Sequence, residues 1–179
     1  MAQSWRKDRQ LPPLDQAALE RMALRYVERY ATTRVKLERY LVRKLRERNW
    51  VGDPAPDAAG LAVRLAELGY VDDSGFALAR AGALVRRGYG PRRVSQALKA
   101  AGIGEADAAP AEQDACDGAW EAALGFARRK RIGPFAAEAP DRAGREKAIG
   151  AMLRAGHDLA TARRVANASP GEIPERDVR

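Results

Sequence analysis

Cysteine and histidine occur once each in this chain, as Cys116 and His157, and β-branched residues are scarce, with 10 Val, 4 Ile and 3 Thr among 179 residues. One cysteine excludes an internal disulfide and a cysteine-based zinc site. With His157 as the only histidine, no His-based metal cluster or triad is expected. The longest apolar runs fall far short of the roughly 20 residues that cross a bilayer. The N-terminal stretch Met1-Ala2-Gln3-Ser4-Trp5-Arg6-Lys7 has no apolar core of the secretory type. These absences together predict a cytoplasmic protein with no membrane partner, no metal and no cofactor. The shortage of β-branched residues also argues against strands. What is abundant instead is Ala, 37 residues, and Leu, 16 residues, both strong helix formers. The expected fold class is all-α.

Start and stop signals divide the chain into about nine helices. The first is expected from near Asp15 to Tyr30, with Leu19, Met22, Tyr26 and Val27 on one face. Thr32 or Thr33 caps a second that carries Leu37, Leu41 and Leu45 and ends near Asn49. After a loop at Gly52-Asp53-Pro54-Ala55-Pro56, a third helix presents Leu61, Leu65 and Leu68 and stops at Gly69. Asp72 or Asp73 caps a fourth, ending at Gly88, and Gly90-Pro91 opens a fifth with Val94, Ala97, Leu98 and Ala101 inward. A short Ala-rich helix broken near Pro110 is expected next, then a long one from about Cys116 to Arg131 with Trp120, Ala123, Leu124 and Ala127 facing in. The last two present Ile149, Met152 and Leu153, and then Leu159, Ala162 and Val165 behind a capping Asp158.

Three helices end alike, at Arg48-Asn49, Ala101-Gly102 and Ala155-Gly156, roughly 53 residues apart. Gly, or Asn in its place, suits the left-handed cap. The spacing implies three tandem three-helix (helix-turn-helix-like) repeats, each too small to bury a core alone, stacked in an elongated, curved array. The expected boundaries are a flexible N-terminal segment 1–14, repeats at 15–71, 72–114 and 115–168, and a disordered tail 169–179. A monomer is expected.

The formal charge is +8, from 32 basic and 24 acidic residues, and Arg outnumbers Lys 26 to 6. The charge is uneven: +7 in residues 1–50, zero in residues 51–110, and +1 in the remainder. Within the neutral middle, Arg80, Arg86, Arg87, Arg92, Arg93 and Lys99 fall in one stretch without a carboxylate. Six like charges without counterions repel one another, and an acidic partner relieves that repulsion. Scattered charges on the second helix read instead as a solvated face. Arg128-Arg129-Lys130-Arg131 forms a further local block.

Other motifs read as structure. Gly88-Tyr89-Gly90 follows no strand and precedes no Gly-Lys-Ser/Thr, so it is no nucleotide loop. Asp72-Asp73 reads as a helix N-cap rather than an acid–base pair. His157, between a terminal Gly and a capping Asp, reads as a surface turn. Cys116 falls near the expected start of a helix and reads as a free structural thiol. No catalytic constellation is visible.

The run Leu65-Ala66-Glu67-Leu68-Gly69-Tyr70-Val71-Asp72-Asp73-Ser74-Gly75-Phe76-Ala77, followed by Arg87-Gly88-Tyr89-Gly90-Pro91-Arg92-Arg93-Val94 and then by Leu98 to Ile103, resembles the RecX family. These are bacterial proteins that regulate the RecA recombinase. The motif spans nearly 40 residues, and a looser likeness extends over about residues 20–167, including Ala31-Thr32-Thr33 through Arg48. The third repeat matches by pattern more than by motif. The resemblance implies three tandem three-helix repeats. It also implies a non-enzymatic regulator, active in recombination, DNA repair and the SOS response. Such a protein binds in the groove of the RecA–single-stranded-DNA filament and mostly inhibits its growth, ATP hydrolysis, strand exchange and co-protease activity. Single-stranded DNA is a further partner that the protein could touch directly.

Carried onto this chain, Leu68, Gly69, Tyr70, Asp72, Asp73, Phe76, Gly88, Gly90 and Pro91 are expected to be architectural. Arg80, Arg86, Arg87, Tyr89, Arg92, Arg93 and Lys99 are expected to bind the filament, with Tyr89 either stacking at the interface or packing half-buried. The alternative is a sequence-independent DNA-binding protein that uses its helix-turn-helix-like units, with Arg92 and Arg93 on the first turn of a helix placed for phosphates.

Overall fold

A computed structural model describes residues 11–176, and what the sequence predicts for residues 1–10 and 177–179, the start of the flexible N-terminal segment and the end of the disordered tail, lies outside them. The described residues form nine α-helices: α1 Gln16–Arg29, α2 Arg34–Glu47, α3 Ala58–Glu67, α4 Asp73–Arg86, α5 Pro91–Ala100, α6 Glu105–Asp117, α7 Ala119–Lys130, α8 Arg142–Arg154 and α9 Leu159–Asn167. A 3₁₀ turn at Gly133–Phe135 separates α7 from α8. The fold class is all-α, as the composition predicts. Among the described residues no helix is long and apolar enough to cross a membrane.

Local chemistry sets most helix starts. Asp15, Thr33, Asp57, Asp141 and Asp158 each accept a backbone N–H from the third residue on, at 2.7–3.2 Å. A side-chain cap of this kind is worth about 1 kcal/mol. Five helices end in one and the same way. After α3, α4, α5, α7 and α8 a residue with positive φ (Gly69, Gly88, Gly102, Arg131 and Gly156) is followed by one whose N–H bonds back to the fifth residue before it. This double bond pattern satisfies carbonyls the helix leaves open. The residues in that following position are Tyr70, Tyr89, Ile103, Ile132 and His157.

The chain forms two compact units, Met1–Asp72 and Asp73–Arg179. In the first, α1, α2 and α3 close over Leu19, Ala23, Leu37, Leu41, Leu61 and Leu65. Leu14 joins this core, fully buried, because its N–H donates to the Asn49 carbonyl at 2.7 Å and its own carbonyl accepts from Val51 at 2.9 Å. Leu14, the last residue of the expected N-terminal segment, is therefore part of this core. Asn49 is not a left-handed cap. Arg48 leaves α2 in an extended conformation, and the Asn49 carbonyl is used to hold Leu14.

The second unit contains α4 to α9 and two cores. One gathers Ala77, Ala81, Leu84, Val94, Leu98, Ala108, Ala111 and Ala115, and the other gathers Ala123, Phe126, Ala127, Met152, Ala162 and Val165. Tyr89 packs against both. Two expectations fail here. Helix α6 is continuous through Pro110, whose ring is exposed, and ends at Asp117, so the boundary expected at 114/115 falls inside a helix. Proline forfeits one hydrogen bond to Ala106, but the buried Ala stripe of α6 against the Ala residues of α4 lets two helices pack closely and offsets that loss. Cys116 accordingly lies in the last turn of α6, exposed, rather than at a helix start.

Leu68, Leu153 and Leu159 are exposed rather than inward, because each stands at a helix end beyond the width of the buried stripe. Beyond α9 the chain is still held as it leaves the helix: the Gly171 N–H donates to the Pro134 carbonyl at 2.9 Å.

Candidate functional site

The Arg87-to-Arg93 segment is where the second unit is joined internally, and its geometry follows from backbone groups. Helix α5 has no side-chain cap, since its N-cap is Gly90 and its first residue is Pro91. Its open donors are met by the end of α8. The Gly90 N–H donates to the Ala155 carbonyl at 2.9 Å, and the Arg92 N–H to the Gly156 carbonyl at 3.2 Å. The C-terminus of one helix thus feeds the N-terminus of another, and their dipoles attract. This approach requires glycine on both sides. A Cβ on Gly90 would lie 2.5 Å from the Gly156 carbonyl carbon, and one on Gly156 would lie 2.6 Å from the Arg93 Cβ.

Two side chains pin the same segment. His157 is buried, 1% exposed, with its Nε2 3.1 Å from the Gly88 carbonyl and its ring 5.8 Å from that of Phe126. A carbonyl can only accept, so Nε2 carries the proton in this contact. The other ring nitrogen, Nδ1, is buried without a hydrogen-bond partner. Burial holds the imidazole pKa below its ordinary value, against the smaller opposing effects of the Gly88 carbonyl and of Asp158. Arg129, from the basic block on α7, donates to the Arg87 carbonyl. The expectation of a surface turn for His157 is thus overturned. It takes the place after a positive-φ glycine that Ile103 takes after α5, and both side chains are buried.

The six acid-free cations are all exposed. Arg80 on α4, Arg87 and Arg93 converge on one open cleft of about 390 Å³ between α4 and α5, floored by Leu84, Tyr89, Gln96, Ala97 and Ala100. The Arg87 guanidinium lies over the Tyr89 ring at 5.6 Å. Tyr89 is half-buried and shared by both cores, so its ring is packed as well as edging the cleft. Arg86, Arg92 and Lys99 do not line it. Of the expected architectural residues, Phe76 packs on the first core of this unit and Asp73 is buried in the first turn of α4, while Tyr70 is 54% exposed in its own unit.

Sequence reading missed Arg129, Gly156 and His157 as parts of the joint. For His157 the signal was present, since its register matches Ile103. Among the described residues no group of three His, Cys, Asp or Glu side chains could hold a metal ion.

Comparison with known proteins agrees with this construction. Residues 72–111 match the family model described as the second three-helix domain of RecX, the segment that holds α4, α5 and the first half of α6. The chain is 31% identical over 160 residues to the Regulatory protein RecX of Myxococcus xanthus (strain DK1622), covering 85% of this chain and 86% of that protein. A crystal structure of a regulatory protein RecX superposes with a TM-score of 0.57 at 22% identity, over 83% of this chain and 72% of the other. With a relative 31% identical over most of both chains and a matched second three-helix domain, this chain belongs to the RecX family of regulatory proteins.

Proposed function

We propose that this protein is a non-enzymatic regulator of the RecA recombinase, binding the RecA–single-stranded-DNA filament and opposing its growth, ATP hydrolysis, strand exchange and co-protease activity. The observation that carries the reading is the convergence of Arg80, Arg87 and Arg93 on one cleft in a stretch without carboxylates. Exposed cations without counterions suit an acidic partner surface, and the hydrogen-bonded joint beneath Arg87 and Arg93 already fixes their backbone before binding. Family membership supports the same reading. A filament of repeated subunits offers such a surface many times, and a protein bound across subunits blocks their motion or addition.

The DNA-binding alternative would place phosphates at the N-terminus of α5. Its Gly90 and Arg92 N–H groups are already bonded to Ala155 and Gly156. Only side chains remain there for an anion, which favours the filament reading over a helix-terminus phosphate site.

The test is the DNA-dependent ATPase of RecA titrated with purified protein. The wild type is expected to slow it at sub-stoichiometric ratios. The R80E/R87E/R93E variant is expected to lose that effect by tenfold or more in effective concentration with its helical circular dichroism intact. Absence of any effect by the wild type sinks the reading.

A further inference from the structure

We propose that the face formed by α1 and α2 in the first unit is a binding site for single-stranded nucleic acid, separate from the cation cleft of the second unit and independent of the filament reading. An open cleft of about 750 Å³ lies there. Six of its lining residues are cationic, Arg21, Arg25, Arg29, Arg43, Lys44 and Arg48, and among the described residues no carboxylate lines it. One acid stands at the rim: Glu47 is 2.6 Å from Lys44 and 3.7 Å from Arg43. The Arg48 Nε is buried without a hydrogen-bond partner. A buried cationic donor left unmet is costly, and an anionic oxygen would satisfy it.

Interleaved with these cations are three tyrosines, Tyr26, Tyr30 and Tyr40, which also line the cleft. Tyr26 and Tyr40 stack at 4.1 Å between ring centroids with 17° between planes, and Tyr30 lies 5.2 Å from Tyr26. Tyr30 is 49% exposed. Arg29 lies over Tyr30 at 5.5 Å, and Arg43 over Tyr40 at 5.7 Å. Aromatic rings set among arginines in a groove are what an unpaired strand requires, since the rings stack on bases and the cations follow the phosphates. A duplex hides its base faces, so rings set among cations favour a single strand over a duplex. Six cations that the sequence spreads over residues 21–48 are gathered here by the packing of α1 on α2.

The test uses the full-length protein with a fluorescein-labelled oligo(dT), without any recombinase, so that its failure is separate from failure of the filament reading. Anisotropy titrations over a range of NaCl should show binding that weakens with salt. The R25E/R29E variant, changed at exposed positions, should bind about tenfold or more weakly. Its log–log salt slope should be shallower by about 1.4, from about 0.7 per phosphate contact on a single strand. The R80E/R87E/R93E variant should bind as the wild type. Tyr30→Ser should weaken binding and Tyr30→Trp restore it. With wild-type protein, an oligonucleotide carrying 5-iododeoxyuridine should cross-link on irradiation to peptides bearing Tyr26, Tyr30 or Tyr40. Unchanged affinity in R25E/R29E overturns the proposal, as do cross-links confined to the second unit. Equal competition by a duplex of the same length or by polyglutamate also overturns it, marking the face as a general polyanion or acidic-protein surface.

Discussion

His157 is kept neutral by burial, and this has a defined consequence for stability. Its folded pKa lies below its ordinary value, which is about 6.5. The unfolded chain therefore binds this proton more readily than the folded one as the pH falls. The contribution of a neutral His157 is fully present above about pH 6.5 and is lost as the pH drops toward and through the lower folded value. Thermal melts are expected to show the melting temperature falling between pH 7 and pH 5. His157→Leu, which puts an apolar side chain where Ile103 sits in the neighbouring repeat, should flatten that part of the profile. An unchanged pH slope in the variant would show that other groups carry it. A second residue-level prediction concerns Arg131, which ends α7 at φ 53 and is the single non-glycine with positive φ among the described residues. Left-handed backbone costs a non-glycine residue about 1 kcal/mol, so Arg131→Gly should raise stability by about that amount in urea titrations.

Helix ends carry the folding information that single residues cannot. Gly69 and Gly156 both have positive φ, 79° and 94°, yet their surroundings differ. A Cβ on Gly69 meets nothing within 4 Å, whereas one on Gly156 would collide with the first turn of α5 at Arg93. Gly69→Ala is therefore expected to cost only the backbone strain, about 1 kcal/mol. Gly156→Ala should add the loss of the Gly90 and Arg92 hydrogen bonds and cost more than about 2 kcal/mol. Chemical denaturation of the two variants side by side measures the difference, and equal losses would mean that the α8-to-α5 joint contributes nothing. Because Arg87 and Arg93 flank this joint, Gly156→Ala should also weaken RecA regulation, with every arginine still in place.

Among the described residues, cations line two clefts, one on the α1–α2 face of the first unit and one between α4 and α5 of the second. Charge-based association is screened by salt. On the proposed function, inhibition of RecA's ATPase is therefore expected to need more protein as NaCl is raised, and a flat response would favour contacts without charge.

The all-α class, most helix limits and the side-chain caps at Thr33 and Asp158 were legible in the sequence because they depend on residues three or four positions apart. The acid-free run of cations was legible for the same reason. Other features depend on residues far apart in the chain and were decided by tertiary packing alone. Gly90 against Gly156, Arg129 on the Arg87 carbonyl, and Leu14 between Asn49 and Val51 each join segments that no periodicity relates. Burial of His157 needed the whole second unit to form, and Pro110 was tolerated only because α4 offered a matching Ala face. The tyrosine–arginine face of α1 and α2 arose the same way: the sequence scatters those charges, and helix packing assembles them into one cleft.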